Sequence, residues 1–381
     1  MPPEQDRPVS ALPLQRAPAP LPLRERAKRF YQEHEPACTA GFFIAGFLFD
    51  TLAVGRIDRL HNIIHQAIYL LLCALFISLE LRERYAGFSP PRRLAGAWRY
   101  HKGATHFMLG TLLNIYTLFY FKSASLSVSF FFLLVLAGLL VVNESHPSGN
   151  SGTTMRMGLL SLCLVSYFTY LVPMLVGSIG PWPFIGSMAG AVAAVGLLIW
   201  RLGRHLPGAP IRRHVLIPFA AVLVVFTGLY FAKIIPPVPL SISSIGIYHD
   251  VRREGDRFLL KMTRSRWKFW QHGDQTFLAR PGDNIYCFVS VFSPTRFQER
   301  LVMRWLFKDS AEGWRETDII PLDVVGGRDE GFRTYGVKSR YQPGRWRVSV
   351  TTSDGRELGR IDSTVVADGS NKPRKTRSIE R

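Results

Sequence analysis

The chain has 381 residues, 47% hydrophobic and 20% charged, with 47 basic against 28 acidic side chains and a formal charge of +19. Between Ala37 and Ile235 it repeatedly runs 17 to 21 residues with almost no charge, which excludes a wholly soluble protein. Four cysteines, three of them in apolar stretches, exclude a disulfide-stapled fold, and the positive charge has to be read by compartment, not as a nucleic-acid signature.

Residues 1–36 hold eight prolines and six basic residues. Such a segment buries too little apolar surface to offset its ordering entropy, so it is expected to be a disordered basic tail. Residues 24–35 suit a short amphipathic helix at the membrane surface. The apolar run that follows starts too late and is too long for a signal peptide.

A spanning helix needs about 20 mostly apolar residues. Stretches at 37–54, 62–81, 104–121, 125–142, 157–178, 183–200 and 215–235 qualify, so residues 37–235 are predicted to form a membrane α-helical bundle of seven transmembrane helices. With seven spans, 17 Lys and Arg residues of the flanking segments fall on one side and 3 on the other. Basic loops stay cytoplasmic, which puts the N-terminus in the cytoplasm and the C-terminal part outside the inner membrane.

Polar residues within or beside spans carry functional readings by default. Asp50, followed at once by Arg56 and Asp58, can accept a proton or a cation, or can pair with Arg56 and fix the turn into the next helix. His61 and His65 stand at i, i+4 on one helix face, a spacing that lets two imidazoles share a metal. With no third ligand nearby, the plainer reading is an interfacial pair, and neither a metal nor a cofactor is predicted. Gly186, Gly190 and Gly196 narrow the sixth span and suit close helix packing.

Beyond Pro236–Pro237 the pattern changes to alternation. Residues 236–381 carry 26 basic and 18 acidic side chains and no long apolar run. Ile285, Cys287, Val289 and Val291 mark one face of a strand, and Leu301, Met303, Trp305 and Phe307 a face of the next. Ser353–Asp354–Gly355–Arg356 is a hairpin turn that returns the chain along 356–366. These features predict an all-β immunoglobulin-like sandwich over 281–368, after a linker and domain start at 236–280. A disordered basic tail is expected from Gly369. Cys287 reads as a buried thiol without a partner. The stretch Lys261–Trp270 interleaves basic and aromatic residues: Trp267 and Trp270 are candidates for headgroup contact or for an aromatic platform, or they belong to a strand with one buried aromatic face.

Several segments of this half are similar to a known family. Gly326–Gly327–Arg328–Asp329–Glu330–Gly331–Phe332–Arg333–Thr334, then Pro343–Gly344–Arg345–Trp346–Arg347–Val348, then Asp354–Gly355–Arg356 and Gly359–Arg360, resemble the bacterial domain of unknown function twenty-nine fourteen. Gly41–Phe42–Phe43, Gly46–Phe47, Phe49–Asp50 and Arg56–Ile57–Asp58 resemble the membrane half of its longer members. In the family a histidine often stands where this chain has Met303. The resemblance implies architecture and no chemistry. Among the matching residues, Arg328, Arg333, Arg345 and Arg347 are the candidate ligand-binding set. Arg333 and Arg347 are expected on neighbouring strands, as a forked cationic surface for carboxylate or phosphate, or else in salt bridges with Asp329, Glu330 or Glu357.

The leading expectation is a non-enzymatic membrane protein, embedded in the lipid bilayer, whose sandwich binds an envelope glycan, a lipid headgroup or a periplasmic protein, and not nucleic acid. The alternative makes the bundle a transporter or channel, with Asp50 as the titrating group and the sandwich accessory.

Overall fold

The computed structural model describes residues 59–381 apart from 94, 99, 146–151, 207–209, 269, 295–296, 326–330 and 371. They belong to the second of two compact units, Val54–Arg381. The expected first span at 37–54 lies outside the described residues, as do Asp50, Arg56, Asp58 and Arg328.

The helical half comprises α1 (Leu60–Ala86), the short α2 (Ala95–Trp98), α3 (His101–Ser123), α4 (Leu126–Ser145), α5 (Gly152–Val176), α6 (Pro181–His205) and α7 (Ile217–Phe231). A π-helical turn, Arg212–Leu216, leads into α7. Each predicted span from residue 62 onward falls on one of these helices. Four segments, α1, α5, α6 and Arg212–Phe231, are long and apolar enough among the described residues to cross a membrane, fewer than the seven expected. The 23-residue α3 dilutes its apolar run with His101, Lys102, His106, Asn114 and Lys122.

Local chemistry sets the helix ends. Gly87 takes a left-handed φ of 62° and caps α1 by donating its N–H to the Arg82 carbonyl. Pro181 stands in the first turn of α6, where its missing N–H costs nothing. The most enclosed of the four spanning segments is α5. It packs against α1, α3, α6 and α7. The small residues of α6 serve that contact: a Cβ on Gly190 would lie 2.8 Å from the Phe168 ring of α5.

The C-terminal half is β-rich and holds a two-sheet sandwich. One sheet has the order β1 (Ser241–Tyr248), β5 (Ile285–Phe292), β8 (Phe332–Lys338). The other runs β4 (Thr276–Ala279), β10 (Glu357–Ala367), β9 (Gly344–Thr352), β6 (Gln298–Asp309), β7 (Gly313–Val325). Their facing sides share a core of Cys287, Val289, Val291, Leu301, Met303, Trp305, Trp346, Val348 and Val350. The predicted inward faces of β5 and β6 are the observed ones, and the Ser353–Arg356 turn joins β9 to β10 with Gly355 at φ 85°.

Two boundaries differ from expectation. Strands begin at Ser241, forty residues before the expected sandwich start, because β1 pairs with β5 and completes its sheet. The tail from Gly369, expected to be disordered, includes β11 (Arg377–Glu380), which pairs with β3 (Arg257–Met262). With β2 (Asp250–Glu254) they form a small third sheet. Tyr248, Val251, Phe258, Leu260, Met262 and Phe288 make a second core beneath it, on the outer face of the β1–β5–β8 sheet.

The sandwich sits on the end of the bundle where α3, α5 and α7 finish. Glu357 accepts a hydrogen bond from Ser125. Glu299 accepts the Ile179 N–H at 3.1 Å. The buried Arg356 guanidinium lies 4.8 Å over the Tyr230 ring of α7. At the opposite end, Glu80 pairs with Arg156 at 2.5 Å, and His214 bridges Tyr85 and Thr154.

Candidate functional site

The β2–β3 hairpin turns at Gly255 and Asp256, and the two carbonyls of that turn hold two arginines. Arg253 donates Nε to the Gly255 carbonyl at 3.0 Å. Arg333, on β8, donates Nη2 to the Asp256 carbonyl at 2.7 Å. Both guanidinium carbons also lie against one ring: Phe258, at 6.0 Å from Arg253 and 5.9 Å from Arg333. A cation over an aromatic face is attracted by the ring quadrupole. The ring and the turn carbonyls thus restrict two long side chains that would otherwise be free to rotate.

A cleft of about 370 Å³ opens here, lined by Arg253, Asp256, Phe258, Phe332, Arg333, Thr334 and Tyr335. A second, of about 270 Å³, adjoins it across Arg333 and is lined by Ser243, Ser244, Phe288, Ser290 and Arg381. Arg253, Arg333 and Arg381 therefore line two neighbouring clefts that share Arg333, together with several hydroxyl residues and Asp256. Guanidinium forks match carboxylate and phosphate oxygens, while Ser and Thr hydroxyls both donate and accept. Gly331 makes the entry to β8 possible: its φ is 80°, and a Cβ there would lie 2.6 Å from the Val291 carbonyl oxygen. That tight approach sets the Arg333–Ser290 register.

The other expected site residues are dispersed. Arg347 is not beside Arg333. It stands on β9 in the other sheet, because β8 pairs with β5 and not with β9. Its Nε and Nη2 donate to the Asp362 carboxylate at 2.6 and 2.8 Å, and its guanidinium lies 4.1 Å over Trp314. The Arg347 hydrogen bonds hold the Asp362 carboxyl below the usual carboxylate range. Arg345 is exposed on the same strand, in register with Thr364. The forked surface expected from Arg333 and Arg347 is therefore not formed, and Arg347 is salt-bridged to Asp362, which was not among the acids expected to pair with it.

Trp267 and Trp270 do not lie on a strand with a buried face. They project from the loop after β3, 64% and 55% exposed, with ring centroids 5.4 Å apart. Asp274 fixes this loop by accepting the N–H groups of Thr263 and Arg264, and Arg264 donates to the Lys268 and Gln271 carbonyls. The Asp274 N–H in turn donates to Ile247, near the end of β1, so the loop stands at the end of the sandwich away from the bundle. His61 and His65 are exposed on the first turns of α1, with His65 packed on Tyr69 at 4.2 Å.

Residues 298–365 match the family described as "Protein of unknown function (DUF2914)". That segment carries this domain. It covers β6 to most of β10 and supplies Arg333 to the cleft, whereas Arg253, Phe258 and Arg381 come from outside it. No curated protein matches the chain. Similar solved structures include an immunoglobulin-like protein from Pseudomonas aeruginosa, at 14% identity and TM-score 0.20, covering 34% of this chain and 98% of that one. A β-glucosidase from Listeria innocua in complex with glucose matches at 12% identity and TM-score 0.19, covering 29% of this chain and 16% of that one. The Bifidobacterium adolescentis GH3 β-glucosidase matches at 10% and 0.19, covering 35% and 18%. At such scores these likenesses carry no argument, and this chain spans only a small part of the β-glucosidases.

The sequence pattern pointed to Arg333 through its family segment. Arg253 and Arg381 carried no signal, because their claim on the site is a tertiary one: strands 80 residues before and 48 residues after Arg333 bring them to it.

Proposed function

We propose that this is a multi-pass protein of a bacterial inner membrane whose immunoglobulin-like periplasmic sandwich binds an anionic envelope ligand at the Arg253–Arg333 cleft. The seven-span topology, with the N-terminus in the cytoplasm, rests on the distribution of basic residues. Arg82, Arg84, Arg92, Arg93, Arg201, Arg204, Arg212 and Arg213 all belong to the end of the bundle opposite the sandwich, as cytoplasmic loops require.

The observation that carries the binding reading is the pair of guanidinium groups restrained over Phe258 at the mouth of the cleft. Two fixed cations lose little side-chain entropy on capturing an anion. The test is thermal unfolding of the full-length protein in detergent, titrated with fractionated envelope components. A ligand that binds only the folded state raises Tm in a concentration-dependent way. The rise is expected to vanish in R333Q and persist in R347Q. A ligand whose effect depends on Arg347 and not on Arg333 would refute the site.

A transport role for the bundle has one supporting feature. Gln66 of α1 is 1% exposed, and among the described residues its amide lies beside the Tyr170 hydroxyl. It faces a core that also holds the buried Tyr116, Tyr120 and Tyr170 hydroxyls. In that reading Asp50 is the titrating group, and an Asp50→Asn protein with unaltered transport phenotype would dismiss it.

A further inference from the structure

The cleft has a definite height in the fold, and the height identifies the kind of anion that reaches it. Strand β1 leaves the bundle through the linker after α7 and starts at Ser241. Arg333 pairs with Ser290, which pairs with Ser244. Arg333 is thus three strand residues, about 10 Å, above the point where the sandwich begins. The β2–β3 turn and the end of β11 come down to the same level: Phe258 exchanges backbone hydrogen bonds with Arg381, and the turn that follows β2 holds Arg253. Every strand end bordering the cleft therefore points toward the bundle, while the Trp267–Trp270 loop stands at the far end.

Two helices of the bundle are longer than the hydrocarbon is thick. At 25 residues each, α5 and α6 measure about 37 Å, against a hydrocarbon core of about 30 Å. With the bundle centred in the bilayer, as the proposed topology has it, their ends would fall in the headgroup layer, and the cleft, reached through the linker 232–240 and three strand residues, would stand at its outer boundary. The groups available there are phosphodiesters, and guanidinium pairs are the side chains best matched to phosphate oxygens. The apolar members of the cleft, Phe258, Phe332 and Tyr335, suit the glycerol end of such a headgroup.

Building on the binding reading above, we infer that the cleft between Arg253, Arg333 and Arg381 is a site for the anionic headgroup of a phospholipid from the membrane that the helices cross. The lipid stays in its leaflet while its phosphate is held by the sandwich. The site ties the sandwich to the bilayer on the side opposite its docking contacts with the helices, which come from the β9–β10 turn and the start of β6.

The test uses the full-length protein, delipidated in detergent, with a fluorescent phosphatidylglycerol as probe. Three arms are compared: phosphatidylglycerol, a zwitterionic phosphatidylcholine, and soluble glycerol phosphate or inorganic phosphate as competitor. R333Q and R253Q are each expected to weaken phosphatidylglycerol binding about tenfold or more, with R347Q unchanged and phosphatidylcholine binding weaker throughout. R333K keeps the charge but not the fork and is expected to fall between R333Q and the unaltered protein. Melting of each variant is followed in parallel, and R253Q, whose exposed side chain contacts the hairpin turn and Phe258, keeps the test available if R333Q does not fold. Phosphatidylglycerol binding that is indifferent to both arginines overturns the inference. If soluble phosphate competes as well as the lipid, the lipid source is overturned while the anion-binding cleft stands. If neither lipid nor soluble phosphate depends on Arg333, and an envelope fraction still raises Tm through it, the headgroup assignment alone fails. If no ligand depends on Arg333, the binding reading fails with it.

Discussion

Arg356 tests the seating of the sandwich on the bundle. Its side chain is 6% exposed, its Nε donates to Asp354 at 2.9 Å, and its guanidinium covers Tyr230 of α7. Removing one partner of a fully buried pair costs about 3–5 kcal/mol, because the other charge is left dry. Asp354 is 24% exposed and also accepts the Thr352 hydroxyl, so part of that penalty is relieved by water. The cation–π contact adds about 1 kcal/mol in a desolvated setting. The Arg356→Ala protein is therefore expected to lose about 3 kcal/mol, a Tm drop of about 10 °C for a β-domain of this size. Tryptophan fluorescence of the full-length protein reads it, since Trp305 and Trp346 lie in the sandwich core. Burial alone raises the Asp354 carboxyl, but Arg356 and the Thr352 hydroxyl outweigh it and hold it below its ordinary value. An acid with a depressed folded-state pKa contributes stability above about pH 4 and loses it as pH falls through the folded value. That loss is expected to shrink in Arg356→Ala. A double replacement, Asp354→Asn with Arg356→Met, is expected to cost less than the single one. A Tm change below about 2 °C in Arg356→Ala, or a double replacement as costly as the two singles summed, would refute the account.

Further consequences follow from other parts of the sandwich. His249 is stacked on Phe277 at 4.1 Å, and burial, reinforced by Arg374, pulls its pKa down to about 4. The unfolded chain takes up this proton near pH 6.5, so stability falls as pH drops from about 6.5 to 4, by about 3 kcal/mol at most. Denaturant titrations at several pH values should show that slope, and His249→Gln should flatten it. Gly273 has φ 71°, and a Cβ would press on the Ile247 backbone. Gly273→Ala is expected to destabilise by about 2 kcal/mol or more and to loosen the Trp267–Trp270 loop, read as faster proteolysis there. Trp267→Ala and Trp270→Ala remove exposed rings, so each should leave the unfolding free energy within about 0.5 kcal/mol of the unaltered protein. A larger loss would mean that the rings are packed in solution.

Much of the architecture was legible from local pattern. Apolar length marked the helices because the cost of placing charge in hydrocarbon is read residue by residue. Alternation over Ile285–Val291 and Leu301–Phe307 marked two strands and their inward faces, because one side of each is buried. Ser353–Arg356 announced its hairpin through turn chemistry alone. These signals share a property: each is decided within a dozen residues.

What tertiary structure decided was pairing across distance. Arg377–Glu380 has a single apolar residue, Ile379, and gave no strand signal; β3 offers it an open edge of N–H and C=O groups, and Ile379 packs on the second core. The arginines of the matched segment looked equivalent in sequence. Register separated them, handing Arg347 to Asp362 across the β9–β10 ladder and placing Arg333 against a hairpin turn that lies 77 residues earlier in the chain. A guanidinium has no intrinsic partner, so its role follows from the strand laid beside it, and that choice belongs to the folded sandwich.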